Sequence, residues 1–186
     1  MTSLGRLFTP ANQLTLMRML LIPAFVILLI YGHRGWALII FIIAGITDLF
    51  DGVVARMTGE RTDLGAWLDP MADKLLLVTM FVMLTLPGIG EPNRLPLWFT
   101  VLVISRDVAI VATVAVVNLA VGPRTFRPSI YGKVATALYI VTGVAALYFN
   151  YLGEPSMLVR VLLYASLAIT CISAAHYAVQ VARMGR

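Results

Sequence analysis

Four aspartates, Asp48, Asp51, Asp69 and Asp73, lie close together in an otherwise apolar sequence. Charged side chains at membrane depth are costly, and they persist where they face a partner, a cavity or an ion. The spacings of three and four residues place each pair on one face of a helix, and a short connection makes the two helices neighbours. Four converging carboxylates repel each other unless they are protonated or neutralised. The pattern therefore predicts a site for two divalent cations, Mg²⁺ or Mn²⁺, of the kind that supports phosphoryl chemistry.

Small residues accompany these aspartates where a nucleotide would have to approach. Gly52 and Gly65 each lie within about one helical turn of an aspartate, and neither has a side chain that would block a nucleotide. Ala55 is a further small residue on the same predicted helix, and Arg56 can bind a phosphate through its planar guanidinium group. The group of residues is therefore suited to a nucleotide-linked substrate.

Two other interpretations of the acidic cluster remain open at this point. In the first, the aspartates form ordinary helix-end ion pairs with Arg56, Arg61 and Lys74. In the second, they line the ion or proton pathway of a transporter, since acids within the membrane also mark such pathways. A pathway has no need for Gly52 and Gly65 at fixed distances from the acids, which favours an enzyme.

The composition indicates an all-α integral membrane protein. Of the 186 residues, 60% are hydrophobic and 12% are charged, whereas a soluble domain has about 25% charged residues. A transmembrane helix needs about 20 mostly apolar residues, and turn-forming segments separate six such runs. The six predicted spans are 14–31, 36–57, 64–86, 96–120, 130–150 and 157–181. We expect the whole chain, residues 1–186, to form one domain.

The distribution of basic residues predicts the orientation in the membrane. On the side of the two termini lie Arg6, Arg56, Arg61, Arg124, Arg127, Lys133, Arg183 and Arg186, and on the opposite side lie Arg34, Arg94 and Arg160. Because cytoplasmic loops are enriched in Lys and Arg, both termini and the acidic ends of the second and third spans are predicted to be cytoplasmic.

The N-terminal segment lacks the apolar core of a signal peptide, so we expect a multi-pass protein of a bacterial-type inner membrane. The net charge of +5 suits anionic lipid headgroups, and no nucleic acid partner is expected.

The acidic region resembles the signature of the CDP-alcohol phosphatidyltransferase family. That signature reads D-x-x-D-G-x-x-A-R, then eight residues, then G-x-x-x-D-x-x-x-D, and residues 48–73 match it without departure. The segment NQLTLMRMLLIPAFV is similar to the opening segment of the family. The resemblance implies a six-helix membrane fold, which agrees with the six apolar runs, and it also implies a homodimer.

The resemblance also implies a role for each motif residue. The metal ligands would be Asp48, Asp51, Asp69 and Asp73. Asp73 would in addition act as the general base on the acceptor hydroxyl. The CDP moiety would be received by Gly52, Ala55, Arg56 and Gly65. The implied reaction is attack of an alcohol on the β-phosphorus of CDP-diacylglycerol, with release of CMP.

The implied acceptor depends on the fourth and fifth spans. The segments ISRDV and RPSIYGKVAT resemble eukaryotic-type cardiolipin synthases, which carry ISRDV and a pattern of a basic residue followed by P-x-x-x-K-V-x-T. This chain has one residue more between Pro128 and Lys133 than that pattern. Arg106 and Asp107 are ionisable residues inside a predicted span, which indicates a function, unless they pair with each other or with a neighbouring helix. Arg106 and Lys133 are predicted to bind the acceptor phosphate, although Lys133 could equally be a snorkelling lysine at a helix end.

Phosphatidylglycerol is therefore the predicted acceptor, and glycerol 3-phosphate is the alternative. Phosphatidylglycerophosphate synthases tend to carry Arg-Glu at the place of Arg106 and Asp107, and a second Arg-Glu eight residues later. This chain has Val114 and Ala115 at the second place. A glycerol-phosphate acceptor brings a dianion that needs several cations, so a missing arginine argues against it.

Overall fold

The computed structural model describes the backbone of residues 10–58, 63–121 and 130–184, and the side chains of residues 13, 15–47, 71–112 and 130–176. Within these ranges the chain contains six helices and no strand. The helices are α1 (Pro10–Ile30), α2 (Arg34–Thr58), α3 (Asp63–Thr85), α4 (Leu97–Val121), α5 (Ile130–Leu152) and α6 (Met157–Met184). Each predicted span coincides with one helix, and no helix end differs from its prediction by more than four residues. The all-helical prediction is confirmed for this part of the chain.

In the part of the chain that the structure describes, two helical segments, Ile130–Leu152 and Met157–His176, are long and apolar enough to cross a membrane. Shorter apolar segments occupy Thr15–Ile30 in α1 and Arg34–Thr47 in α2. Acidic residues interrupt the apolar character of α2 and α3, and an arginine–aspartate pair does so in α4. Within the described residues, length and composition thus single out two helices that could cross a membrane, and the number of six spans remains a prediction.

The helices pack around a core that centres on α3 and α5. Helix α1 contacts α2 and α3, α5 contacts α2, α3 and α6, and α4 contacts α3 and α6. The rings of Phe81, Phe99 and Tyr139 meet edge to face, with centroid distances of 5.6, 6.0 and 6.1 Å. Such edge-to-face pairs are the preferred aromatic arrangement, and they join α3, α4 and α5.

A glycine allows α3 and α5 to approach each other closely. A Cβ atom added to Gly143 of α5 would lie 2.0 Å from Cε of Met80 on α3. Small residues serve this purpose in membrane helix pairs, where close packing replaces the hydrophobic effect as the main attraction.

Hydroxyl groups add hydrogen bonds between helices. The side-chain oxygens of Thr85 and Thr100 lie 2.6 Å apart, joining α3 to α4. Those of Thr142 and Ser166 lie 3.0 Å apart, joining α5 to α6. Bonds of this kind contribute on average about 0.6 kcal/mol each in a membrane protein.

Three connections meet at one end of the helices, which we call the distal end: residues 31–33, 86–96 and 153–156. Each contains a glycine with a positive φ, Gly32, Gly88 and Gly153, with φ between 74° and 78°. Glycine reaches this left-handed conformation without a steric cost, so the chain can turn immediately after a helix.

Asn93 and Asn150, both buried, form the centre of the distal end. The backbone N–H and the side-chain amide of Asn93 donate to Oδ1 of Asn150 at 2.8 and 3.0 Å. Nδ2 of Asn150 donates to the carbonyl of Gly90 at 2.7 Å, and Oδ1 of Asn93 accepts from the N–H of Ser156 at 2.6 Å. Arg34 donates to the backbone carbonyl of Asn150 at 3.1 Å. The three connections are thus fixed to each other by hydrogen bonds.

Candidate active site

The four aspartates lie away from the distal end, in a region we call the acidic end: residues 48–58 of α2 and 63–74 of α3. At 1.5 Å per residue, Asp48 lies about 21 Å along α2 from its start at Arg34, and Asp73 lies about 18 Å before the end of α3 at Thr85. Because α2 starts and α3 ends at the distal end, the helical backbone brings both acidic segments to the opposite half of the molecule.

Most of the predicted site residues lie on helices whose side chains are outside the described set. These are Asp48, Asp51, Gly52, Ala55, Arg56, Gly65 and Asp69. Their backbone is helical, and residues three or four apart in a helix share a face, as predicted for each aspartate pair. Their predicted roles remain predictions. The side chains of Asp73, Arg106 and Lys133 are described.

Asp73 forms an ion pair with Arg18 of α1. The Arg18 side chain has no exposed surface, whereas that of Asp73 is 37% exposed. A buried guanidinium group needs a paired and hydrogen-bonded anion to be tolerated, so the pair attaches α1 to α3 and orients the carboxylate. Arg18 is not among the site residues predicted from the sequence. Its signal is an arginine inside an apolar helix, within the opening segment NQLTLMR.

Lys74, the next residue, points to a different helix. Its Nζ lies 3.6 Å from Oδ2 of Asp107 on α4, and Oδ1 of the same carboxylate accepts from Nη1 of Arg106 at 3.0 Å. Arg106 and Asp107 therefore pair with each other, which is one of the two arrangements considered from the sequence. Lys74, which sequence spacing placed among the cations near the four aspartates, is paired with Asp107.

Arg106 also contacts α5. Its Nη2 donates to the carbonyl of Gly132 at 3.2 Å, and its guanidinium carbon lies 5.8 Å from the centroid of the Tyr139 ring. The hydroxyl of Tyr139 in turn bonds to Thr170 of α6. Arg106 thus belongs to a polar network that crosses α4, α5 and α6.

Lys133 follows Gly132 at the start of α5 and is exposed. Among the residues with described side chains it has no ion pair or hydrogen bond. The carbonyl that Arg106 contacts therefore lies one residue from Lys133, and both predicted acceptor ligands lie on the same side of the bundle.

The donor set at the acidic end fits divalent cations by its chemistry. Carboxylate oxygens are the ligands that Mg²⁺ and Mn²⁺ prefer, and the half-exposed Asp73 carboxylate is accessible to an ion. Within the described side chains no group of three or more metal-binding residues occurs, and three of the four aspartates lie outside that set.

Comparison with known proteins identifies the family. The family described as "CDP-alcohol phosphatidyltransferase" matches residues 8–172. A Mycobacterium tuberculosis protein named "Probable phosphatidylglycerophosphate synthase" is 32% identical over 187 residues, which is 96% of this chain and 84% of that protein. Human "Cardiolipin synthase (CMP-forming)" is 34% identical over 163 residues, or 77% of this chain and 52% of the human protein.

A third relative shares a shorter segment. "CDP-diacylglycerol--glycerol-3-phosphate 3-phosphatidyltransferase" of Cereibacter sphaeroides is 42% identical over 78 residues, which is 40% of this chain and 35% of that protein. The family match covers most of the chain, including all four aspartates and the opening segment. The resemblance seen in the sequence is therefore confirmed, and this chain belongs to the CDP-alcohol phosphatidyltransferase family of membrane enzymes.

Proposed function

We propose that this enzyme transfers a phosphatidyl group from CDP-diacylglycerol to a hydroxyl of phosphatidylglycerol, giving cardiolipin and CMP. The acceptor oxygen forms a bond to the β-phosphorus, the bond from that phosphorus to the CMP oxygen breaks, and the acceptor proton passes to a base. The family membership supports the transfer, and the cation arrangement beside α4 and α5 supports the acceptor.

In this proposal the acidic end holds two divalent cations, Mg²⁺ or Mn²⁺. Their ligands would be Asp48, Asp51, Asp69 and Asp73. When bound, such ions neutralise the pyrophosphate of the donor. The CDP moiety would lie against Gly52, Ala55 and Gly65, which leave room for it, and Arg56 would bind one of its phosphates through charge-assisted hydrogen bonds.

Asp73 is the proposed general base. An alcohol is a poor nucleophile until a carboxylate takes its proton, and a positioned base contributes about 10²–10⁴-fold to a rate. The ion pair with the buried Arg18 supports this role because it fixes the carboxylate from the side of α1 while leaving it half-exposed. Arg18 is then a positioning residue.

The single observation that carries the choice of acceptor is that Arg106 and Lys74 already bind partners within the protein. Arg106 is 11% exposed and already contacts Asp107, Gly132 and Tyr139, and Lys74 is paired with Asp107. Three described cations lie near the start of α5: Lys74, Arg106 and Lys133. Among these three, Lys133 is the one without an ion pair. Within the described residues, one available lysine with partial help from Arg106 suits the monoanionic phosphodiester of phosphatidylglycerol better than a dianionic phosphate monoester.

Glycerol 3-phosphate is the second candidate acceptor. It is favoured by the relative that covers 96% of this chain, which carries the name of a phosphatidylglycerophosphate synthase. The two candidates differ in charge and in water solubility, so one assay separates them.

The test is release of CMP by the purified protein with CDP-diacylglycerol and a divalent cation. Phosphatidylglycerol and glycerol 3-phosphate are offered in separate reactions, with chelator as a control. Metal-dependent release with phosphatidylglycerol alone would support a cardiolipin synthase. Release with glycerol 3-phosphate alone would assign the second candidate, and release with neither would reject both acceptors.

We further propose a placement for the enzyme. The chain would form one domain with six transmembrane helices in a bacterial-type inner membrane, with both termini and the acidic end cytoplasmic, and would act as a homodimer. The distribution of Lys and Arg supports this orientation. Accessibility of single cysteines to a membrane-impermeant reagent, compared between residues 31–33 and 122–129, tests it.

A further inference from the structure

A cavity of about 290 Å³ lies at the distal end, between the start of α4 and the start of α6. Its walls come from the connection before α4 and from the first turns of α6. Two arginines, Arg94 and Arg160, line it together with the aromatic rings of Trp98 and Tyr164. The cavity is remote from the aspartates, and the proposed transfer reaction does not use it.

The two arginines have unused hydrogen-bonding capacity. Nε of Arg94 donates to the carbonyl of Thr85 at 2.8 Å, which anchors the side chain, while its two terminal amino groups have no partner among the described residues. Arg160 is exposed and makes no hydrogen bond or ion pair within the described part of the chain. The cavity lining contains no acidic residue. Two guanidinium groups beside one cavity favour an anion, and their planar geometry suits a phosphate.

The walls of this cavity are fixed to each other without a ligand. Asn93, in one wall, accepts a hydrogen bond from the N–H of Ser156 at 2.6 Å and donates to the carbonyl of Glu154 at 2.8 Å. These bonds hold the segment that carries Arg94 against the segment that leads into Arg160. A preorganised site loses less ordering free energy when a ligand binds.

The remaining lining is apolar, which indicates an amphiphile rather than a free anion. Leu95, Val159 and Leu163 line the cavity, and the neighbouring α6 side chains Leu158 and Val161 are half exposed. An acyl chain could leave the cavity along such a surface and stay out of water.

Exposed aromatic rings surround the same end of the molecule. Tyr31, Trp36, Trp98, Tyr151 and Tyr164 are all exposed. Tryptophan and tyrosine are enriched at the level of lipid headgroups, so these rings predict that the cavity lies at the depth of a lipid phosphate.

We propose that this cavity binds the phosphodiester headgroup of an anionic phospholipid, in the membrane leaflet opposite the acidic end. Arg94 and Arg160 bind the phosphate, and the apolar wall contacts the upper acyl chain. The site is separate from substrate binding, and it does not depend on which acceptor the enzyme uses.

The test compares lipid binding by Arg160→Gln with binding by the matched variant Met157→Gln. Met157 lies one turn earlier on α6, is 71% exposed and does not line the cavity. Purified protein in detergent micelles is titrated with phosphatidylserine, which has no alcohol to offer a transferase, and bound lipids are counted by native mass spectrometry. Phosphatidylcholine and inorganic phosphate are titrated separately. Arg160 makes no hydrogen bond or ion pair within the described residues, so its replacement is not expected to impair folding.

Arg160→Gln is expected to weaken binding of one phosphatidylserine by about ten-fold, the effect of losing a charged hydrogen bond. Met157→Gln should bind like the parent, and phosphatidylcholine should bind more weakly to the parent than phosphatidylserine does. Equal binding by Arg160→Gln and the parent would overturn the proposal. So would displacement of the lipid by millimolar inorganic phosphate, which would indicate a site for free anions. CMP release from the same samples reports on the transfer reaction separately, so failure of one proposal is distinguishable from failure of the other.

Discussion

The distal end and the acidic end accommodate polar groups among apolar helices in different ways. At the distal end, the neutral amides of Asn93 and Asn150 bond to each other and to backbone carbonyls. At the acidic end, the described contacts are ion pairs, of Arg18 with Asp73 and of Lys74 with an aspartate on α4. Amide networks hold chain segments in place, whereas an ion pair can exchange one charged partner for another.

This difference assigns the two ends different tasks. The distal end fixes three connections, so its loss should reduce stability more than catalysis. The acidic end holds charges that a substrate phosphate or a cation can compete for, so changes there should reduce catalysis more than stability. The following predictions run from the largest expected effect to the smallest, and those that change residues of the two ends would sharpen or break that division.

Asp73→Asn should reduce CMP release by about 10²–10⁴-fold, because the proposed base is lost. The variant should also lose stability, because the buried Arg18 loses its paired anion. The asparagine oxygen can still accept a hydrogen bond from Arg18, so the protein is expected to fold at the assay temperature. Steady-state CMP release and thermal unfolding in detergent measure the two effects. The control is Glu154→Gln, which removes an exposed carboxylate at the distal end. Near-parent turnover by Asp73→Asn would contradict the assignment of the base.

Asn150→Ala should lower the free energy of unfolding by about 2–4 kcal/mol, because buried partners of its side chain lose their hydrogen bonds. Chemical denaturation in micelles measures the loss. Turnover at a temperature where the variant stays folded should be close to that of the parent. The exposed neighbour Leu152→Ala is the control, and an equal loss in both variants would show that the asparagine network contributes little.

Gly143→Ala should destabilise the protein by about 1–3 kcal/mol, because Met80 must move to admit a methyl group. Gly45→Ala is the matched control, since a Cβ atom added there meets nothing within 4 Å. That control should be neutral or gain up to about 1 kcal/mol from helix propensity. Thermal unfolding midpoints of the two variants are compared, and identical midpoints would mean that the Met80 side chain repacks without cost.

Lys133→Gln should raise the KM for the acceptor about five-fold and change kcat little, as expected for one exposed charge on a phosphate, worth about 1 kcal/mol. Val134→Gln introduces the same side chain at the next exposed position and should leave the KM unchanged. Initial rates over a range of acceptor concentrations provide both constants. A KM for Lys133→Gln equal to that of the control would remove this lysine from the acceptor site.

The helices could be predicted from sequence because each apolar run is bounded by turn-forming residues that interrupt it. The helical backbone of the two acidic segments could be predicted for the same reason, whereas the grouping of the four aspartate side chains stays a prediction. The partner of Asp73 could not, since Arg18 lies 55 residues earlier and its position depends on how α1 packs against α3. The asparagine network joins residues 57 apart, so no local pattern indicates it.

The consecutive residues Asp73 and Lys74 attach α3 to two different helices. Neighbouring residues point about 100° apart around a helix, and here Asp73 pairs with Arg18 of α1 while Lys74 pairs with Asp107 of α4. The two attachments differ in strength, because the Arg18 side chain is fully buried whereas the Lys74 side chain is 46% exposed and lies 3.6 Å from its partner. A rotation of α3 is therefore opposed mainly through Asp73, so the packing of α1 against α3 sets the direction in which this carboxylate faces.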